Sequence, residues 1–185
     1  MKKVILFAAI LFSGISMATA QNEVRSQSNL TLKLSPVQSI SVVTNEGAFI
    51  EYKSVADYSG DGVESTGNTT INVASAGGYT VRVSADEFTT TNGGALSLGT
   101  INVIATAKDA KATGTPHAAT LVQTVATNPL IGSTLIVGGS GGVDMKYDIK
   151  FKGAGNNAYL DVYNQGTNNV TQEYTTTVYY TISAS

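Results

Sequence analysis

The residue types and spacing nearest to a binding site lie in Asp57-Tyr58-Ser59-Gly60-Asp61-Gly62. Oxygen-bearing side chains at Asp57, Ser59 and Asp61 alternate ahead of a glycine, the order in which a calcium loop presents its ligands. The bidentate acid such a loop carries at its twelfth position is missing, because Asn68 stands there, and Glu64 is the substitute for a looser site. Calcium at Asp57, Ser59, Asp61 and Glu64 is thus the one cofactor the sequence suggests. A polar turn is the competing reading.

Catalytic chemistry finds less support. Gly138-Gly139-Ser140-Gly141-Gly142 has the look of a nucleotide loop, but Asp144 occupies the third glycine position and a strand pattern follows. A phosphate cradle needs a helix N-terminus there, so the run reads as a hairpin connection. His117 is the only histidine and cysteine is absent, which leaves a transition metal little but carboxylates. No Gly-x-Ser-x-Gly elbow accompanies the many hydroxyls. Asp144 and Asp148 share one face of an extended segment, about 13 Å apart at ~3.3 Å per residue. Glycosidase carboxylates sit about 5–9.5 Å apart. Asp86 and Glu87, adjacent in sequence, point apart if extended. Tyr58, Tyr163 and Tyr179 are candidates for a sugar platform, although strand tyrosines ordinarily pack at a core edge. The expectation is a protein that is not an enzyme.

The elements that carry these residues are strands. Met145, Tyr147, Ile149 and Phe151 alternate with Asp144, Lys146, Asp148, Lys150 and Lys152, one face apolar and one wet, as in an antiparallel sheet with a solvated side. Tyr174 to Ser183 is almost wholly β-branched, aromatic or hydroxylic, with Val178, Tyr180 and Ile182 on one face, and is expected as an integral sheet strand. Leu30, Leu32 and Leu34 alternate in the first expected strand, which Pro36 stops. Further strands are expected at Val37–Val43, Phe49–Val55, Thr69–Ala74, Leu98–Thr106, Thr120–Ala126, Ser133–Val137 and Tyr159–Tyr163. Tyr79–Val83 is read as the hairpin partner of Thr69–Ala74 across Ala76-Gly77-Gly78. Gly or Asn breaks recur between these runs, and no heptads compete. The fold expected is all-β, an antiparallel immunoglobulin-like β-sandwich of about ten strands.

Residues 1–20 have the form of a signal peptide: Lys2 and Lys3, an apolar Val4–Leu11, and Ala18-Thr19-Ala20 before the cut. Residues 21–29 read as a polar leader and 30–185 as one domain. Removing the two lysines from 11 basic residues against 13 acids leaves about −4. That balance argues against nucleic acid and anionic membrane as partners. No later segment is long and apolar enough for a spanning helix, so no membrane insertion is expected. The destination is extracellular, the cell surface or the periplasm.

The export signal, cysteine-free alternating strands and Tyr-rich terminal strand together resemble bacterial fimbrial and adhesin-type β-sandwich subunits. The resemblance implies a structural or adhesive role at the cell surface, with homo-oligomers or other surface proteins as partners. It also implies assembly by β-strand addition, with Gln21 to Leu34 as the donated strand and Leu30, Leu32 and Leu34 as its contact residues. Unlike many such subunits, the chain has no cysteine pair. A monomeric exported module binding glycan or calcium is the alternative, followed by an outer-membrane barrel and a secreted enzyme.

Overall fold

The computed structural model describes residues 27–45, 47–125, 127–128, 130–166 and 170–185. The expected signal peptide and residues 21–26 of the leader lie outside the described residues. The chain divides into two units, Met1–Leu34 and Ser35–Ser185. In the first, residues 27–34 form neither helix nor strand, and Leu30, Leu32 and Leu34 are 94%, 77% and 85% exposed. The strand expected at Leu30–Leu34 is therefore not formed. Alternation fixes which face is apolar, but a strand also needs a partner to take its backbone hydrogen bonds.

The second unit is all-β. Its strands are β1 (Gln38–Asn45), β2 (Thr69–Ser75), β3 (Tyr79–Ala85), β4 (Thr89–Thr90), β5 (Ile101–Ala107), β6 (Thr115–Pro116), β7 (Ala119–Thr120), β8 (Ser133–Gly138), β9 (Gly142–Gly153), β10 (Tyr174–Thr175) and β11 (Val178–Ala184). Two short helices, α1 (Val55–Ser59) and α2 (Leu160–Gln165), and a 3-10 turn at Leu98–Thr100 complete it. One sheet has the order β1-β2-β9-β5-β7, a second β11-β3-β8-β6, and β10 pairs with β4. All ladders between these strands are antiparallel.

The core lies between the two larger sheets. Ile71, Val73, Val103, Met145, Tyr147 and Ile149 face it from the first; Tyr79, Val81, Val83, Leu135 and Ile136 face it from the second. This is a sandwich-like arrangement, and the alternation along β9 places Met145, Tyr147 and Ile149 inward as expected. Outward, Asp148 meets Thr70 and Lys108, while Asp144 meets Lys111 and Lys146.

Four further expectations are corrected, the first at Thr120–Ala126, where among the described residues only Thr120 lies in a strand, in β7, and Gln123 makes an isolated bridge to Ala85. β2 and β3 are not a hairpin: the turn at Ala76–Gly78 carries the chain from one sheet to the other, and the glycine run after β8 does the same. Phe49–Val55 is not a continuous strand, since only Phe49 pairs, with Thr66, and α1 begins at Val55. Leu160–Tyr163 lies in α2, with Tyr159 at its N-cap, instead of in a strand. A Gly-rich reversal specifies that the chain turns, and the core-facing pattern is the same whether the next strand pairs in plane or crosses the core.

A buried polar relay ties the sheets together. The Gly114 N–H donates to the Tyr147 hydroxyl at 2.7 Å, the two phenols of Tyr147 and Tyr79 lie 2.7 Å apart, and Tyr79 reaches the Met145 sulfur at 3.5 Å. Burial, reinforced by Tyr147, pushes the Tyr79 phenol well above its ordinary range. Tyr147→Phe strands the Gly114 N–H and is expected to cost about 1–3 kcal/mol. The check is a lower urea midpoint at unchanged denaturant slope; an unchanged midpoint contradicts the relay.

Candidate functional site

One side of the sandwich ends in a groove of about 940 Å³. Its first wall is the extended segment 48–53. Phe49 exchanges backbone hydrogen bonds with Thr66, and residues 63–66 in turn bond the end of β9 through Ser65 N–H to Phe151 O at 2.7 Å and Gly153 N–H to Val63 O at 2.9 Å. Segment 48–53 thus extends the first sheet. Among the described residues, no strand pairs with its outer side.

The second wall is 171–178. β10 pairs with β4, β11 with β3, and between them the Asp86 N–H donates to Thr177 O at 3.0 Å. Tyr174 to Ala184 therefore behaves as one long strand bonded along one side, with the irregularity taken up at Asp86–Glu87. β11 is the end strand of its sheet. The terminal strand is integral to the fold, as its pattern predicts, and it is an edge.

Between the walls, Ile50, Phe88, Ile101, Leu121, Phe151 and Val178 form an apolar floor. Ile101 and Leu121 are buried core residues, so the groove opens onto the end of the core itself. Phe88 meets the Tyr174 ring edge-on at 6.3 Å. Glu51, Lys53 and Glu173 line it as charged residues.

Tyrosines and a helix cap hold the first wall. The Tyr52 ring lies 5.1 Å from both Tyr58 and Tyr159, and its hydroxyl donates to Ala154 O. Burial, with Tyr159 alongside, raises the Tyr52 phenol to about 12. Tyr159 accepts from the Ala154 N–H at 3.0 Å and donates to Thr100 O at 3.1 Å. Ser54 and Asp57 form a capping box on α1, in which the Asp57 carboxylate accepts from the N–H groups of Lys53 at 2.8 Å and Ser54 at 2.7 Å. Gly62, at φ +99°, lies so close to Gly153 O that a Cβ would collide with it; only glycine allows this approach. On the second wall, Gln172 donates to Tyr163 O at 2.7 Å and accepts from Tyr174 at 3.0 Å.

The residues singled out for chemistry are mostly dispersed. Asp57 caps α1, Glu64 pairs with Lys150 at 3.4 Å, and the carbonyls of Tyr58 and Gly60 accept from Asn157 and Asn156. Among the described residues no three His, Asp or Glu side chains converge on a metal position. Asp86 accepts from Tyr179 at 2.8 Å and Glu87 from Gln123 at 3.0 Å, so the neighbouring acids do part. Tyr58 and Tyr163 line the groove, whereas Tyr179 does not. The groove itself went unread in the sequence, although Ser54-x-x-Asp57 is a legible helix start that limits the preceding strand. No protein-family model matches the chain, and a search of curated proteins finds no match. Among the described residues no helix is long and apolar enough to cross a membrane.

Two measurements test this geometry. Hydrogen bonds from Lys53 and then Ser54 hold the Asp57 carboxyl below its ordinary range. A depressed carboxylate stabilises the fold above the unfolded value of about 3.9, and the gain is lost as pH falls through the folded value. Near-UV circular dichroism from the tyrosine cluster should decline on acidification below about pH 4. Asp57→Asn should show the reduced signal already at neutral pH; a wild-type signal in the variant contradicts the cap's role. With Asp57 and Glu64 so engaged, calcium is expected to leave the melting temperature of wild type and Asp61→Ala alike unchanged. A rise confined to wild type would restore the loop as a calcium site.

Proposed function

We propose that this protein is an exported, non-enzymatic structural or adhesive subunit of a bacterial cell-surface appendage, assembled by β-strand pairing between copies. The immunoglobulin-like form of the sandwich belongs to the same proposal. The observation that carries it is the groove: two extended walls, each paired on its far side only among the described residues, flank an apolar floor continuous with the core. An apolar surface bordered by free strand edges is what strand addition requires, with backbone bonds giving affinity and alternate side chains giving specificity.

The same chain supplies a matching strand. Leu30, Leu32 and Leu34 are exposed, alternate with Thr31 and Lys33, and lie in a segment without secondary structure. A strand donated from one copy to the groove of the next is a heterologous contact, and heterologous contacts that do not close on themselves build filaments. The acidic balance and the signal-peptide form of residues 1–20 favour an exported subunit with homo-oligomers or other surface proteins as partners, and without nucleic acid or membrane insertion.

Size-exclusion chromatography of two chains, beginning at Gln21 and at Ser35, tests the reading. The longer chain should form oligomers that grow with concentration. The shorter should stay monomeric and gain thermal stability when a peptide of residues 21–36 is added. A longer chain that stays monomeric at high concentration, with no response of the shorter one to the peptide, overturns the proposal. A melting shift produced instead by glycan would move the reading to a monomeric binding module.

A further inference from the structure

Resting on that assembly, we infer the orientation and register of the incoming strand: residues 28–34 of a second copy run antiparallel to 174–180, with Leu30 beside Val178, Leu32 beside Thr176 and Leu34 beside Tyr174.

The acceptor edge sets the phase. Tyr174, Thr176 and Val178 line the groove and are half-buried, whereas Thr175, at the groove rim, and Thr177 are exposed. Period-two geometry then lets three alternate residues of an added strand face the floor together. Among residues 27–36, Leu30, Leu32 and Leu34 are the alternate apolar set, bounded by Ser28-Asn29 before and Ser35-Pro36 after. Five residues, 30–34, match five, 174–178.

The narrowing of the cleft sets the direction. Register fixes the ends: Gln38 of β1 pairs with Ser75, Ala184 of β11 pairs with Tyr79, and the turn at Ala76–Gly78 joins those partners. The start of β1 therefore lies at the end of β11, and the two edges run antiparallel. They come within 8 Å of each other, Cα to Cα. A strand inserted between them needs two inter-strand spacings, about 9.5 Å, so that stretch is too narrow for a large side chain on an added strand.

The groove beside 174–178 is the wide part, and Tyr180 stands at the transition. In the antiparallel setting the three leucines occupy the wide part and the small Ser28 meets Tyr180. The parallel setting would instead drive Ser35-Pro36 into the narrow end, and proline cannot donate to the ladder. Lys33, on the outward face opposite Thr175, stands diagonal to Glu173, within reach of a long side chain.

The chain has no cysteine, so paired cysteines report the register cleanly. Thr31→Cys and Thr177→Cys chains, made separately and mixed under mild oxidation, should give a disulfide-linked dimer. Directly opposed residues lie about 4.5–5.5 Å apart, inside the Cα separation of about 4.4–6.8 Å that a disulfide accepts. Thr31→Cys mixed with Thr175→Cys, or with Tyr179→Cys, is two residues out of register and should cross-link at least tenfold less. Dominant cross-linking to either of those overturns the register and leaves strand assembly standing. No cross-link in any mixture, with the wild-type chain monomeric, overturns both. Ser28→Phe provides a second reading through the peptide of residues 21–36. It should bind the chain beginning at Ser35 at least tenfold more weakly, and unchanged affinity contradicts the placement of residue 28 at Tyr180.

Discussion

A strand that forms hydrogen bonds along one side only leaves the polar groups of its other side to water or to another chain. In this protein that condition falls where it matters most. Tyr174 to Ala184 is bonded along its length to Tyr79–Thr90 and ends its sheet, while the segment 48–53 ends the other. Between them Ile101, Leu121 and Phe151 bring the core to the surface. Water must therefore meet both free backbone and apolar floor along the same cleft. One added strand would relieve both conditions together.

The rest of the fold holds that cleft open and in shape. Tyr52, Tyr58 and Tyr159 pack around the corner formed by α1 and the turn after β9, and the hydroxyls of Tyr52 and Tyr159 are spent on Ala154 and Thr100. Gln172 fixes Tyr163 and Tyr174 relative to each other. Two of these bonds, Tyr52 to Ala154 and Tyr159 to Thr100, join segments far apart in the chain, and most connections between strands pass from one sheet to the other. Such a topology closes long loops before its contacts form, which slows folding and prolongs exposure of apolar edges.

Much of this was legible in the residues. The alternation in Met145–Phe151 identifies β9 and its buried face, and Val178, Tyr180 and Ile182 identify the inward face of β11, because period-two burial writes itself directly into sequence. The partner of a strand is not written there. Thr69–Ser75 and Tyr79–Ala85 look like a hairpin because their turn has the right residues, yet each serves a different sheet. Tyr159–Tyr163 has aromatic and β-branched residues suited to a strand, but tertiary bonds at Tyr159 and Gln172 hold it in a helical turn; no side-chain cap marks its start. The groove is harder still to read, since it is made by what does not pair with 48–53 and 171–178. The calcium pattern at Asp57–Gly62 shows the converse: Asp57 has the spacing of a ligand and the structural role of a cap.

The central claim is that the free edge of the C-terminal strand becomes a paired one on assembly, and amide hydrogen exchange resolved along the chain measures that directly. For the chain that begins at Ser35, adding a peptide of residues 21–36 should slow exchange in 174–178 and in 48–53 and leave the outer faces of both sheets unchanged. Peptide binding that leaves those two segments exchanging at their original rates would contradict it.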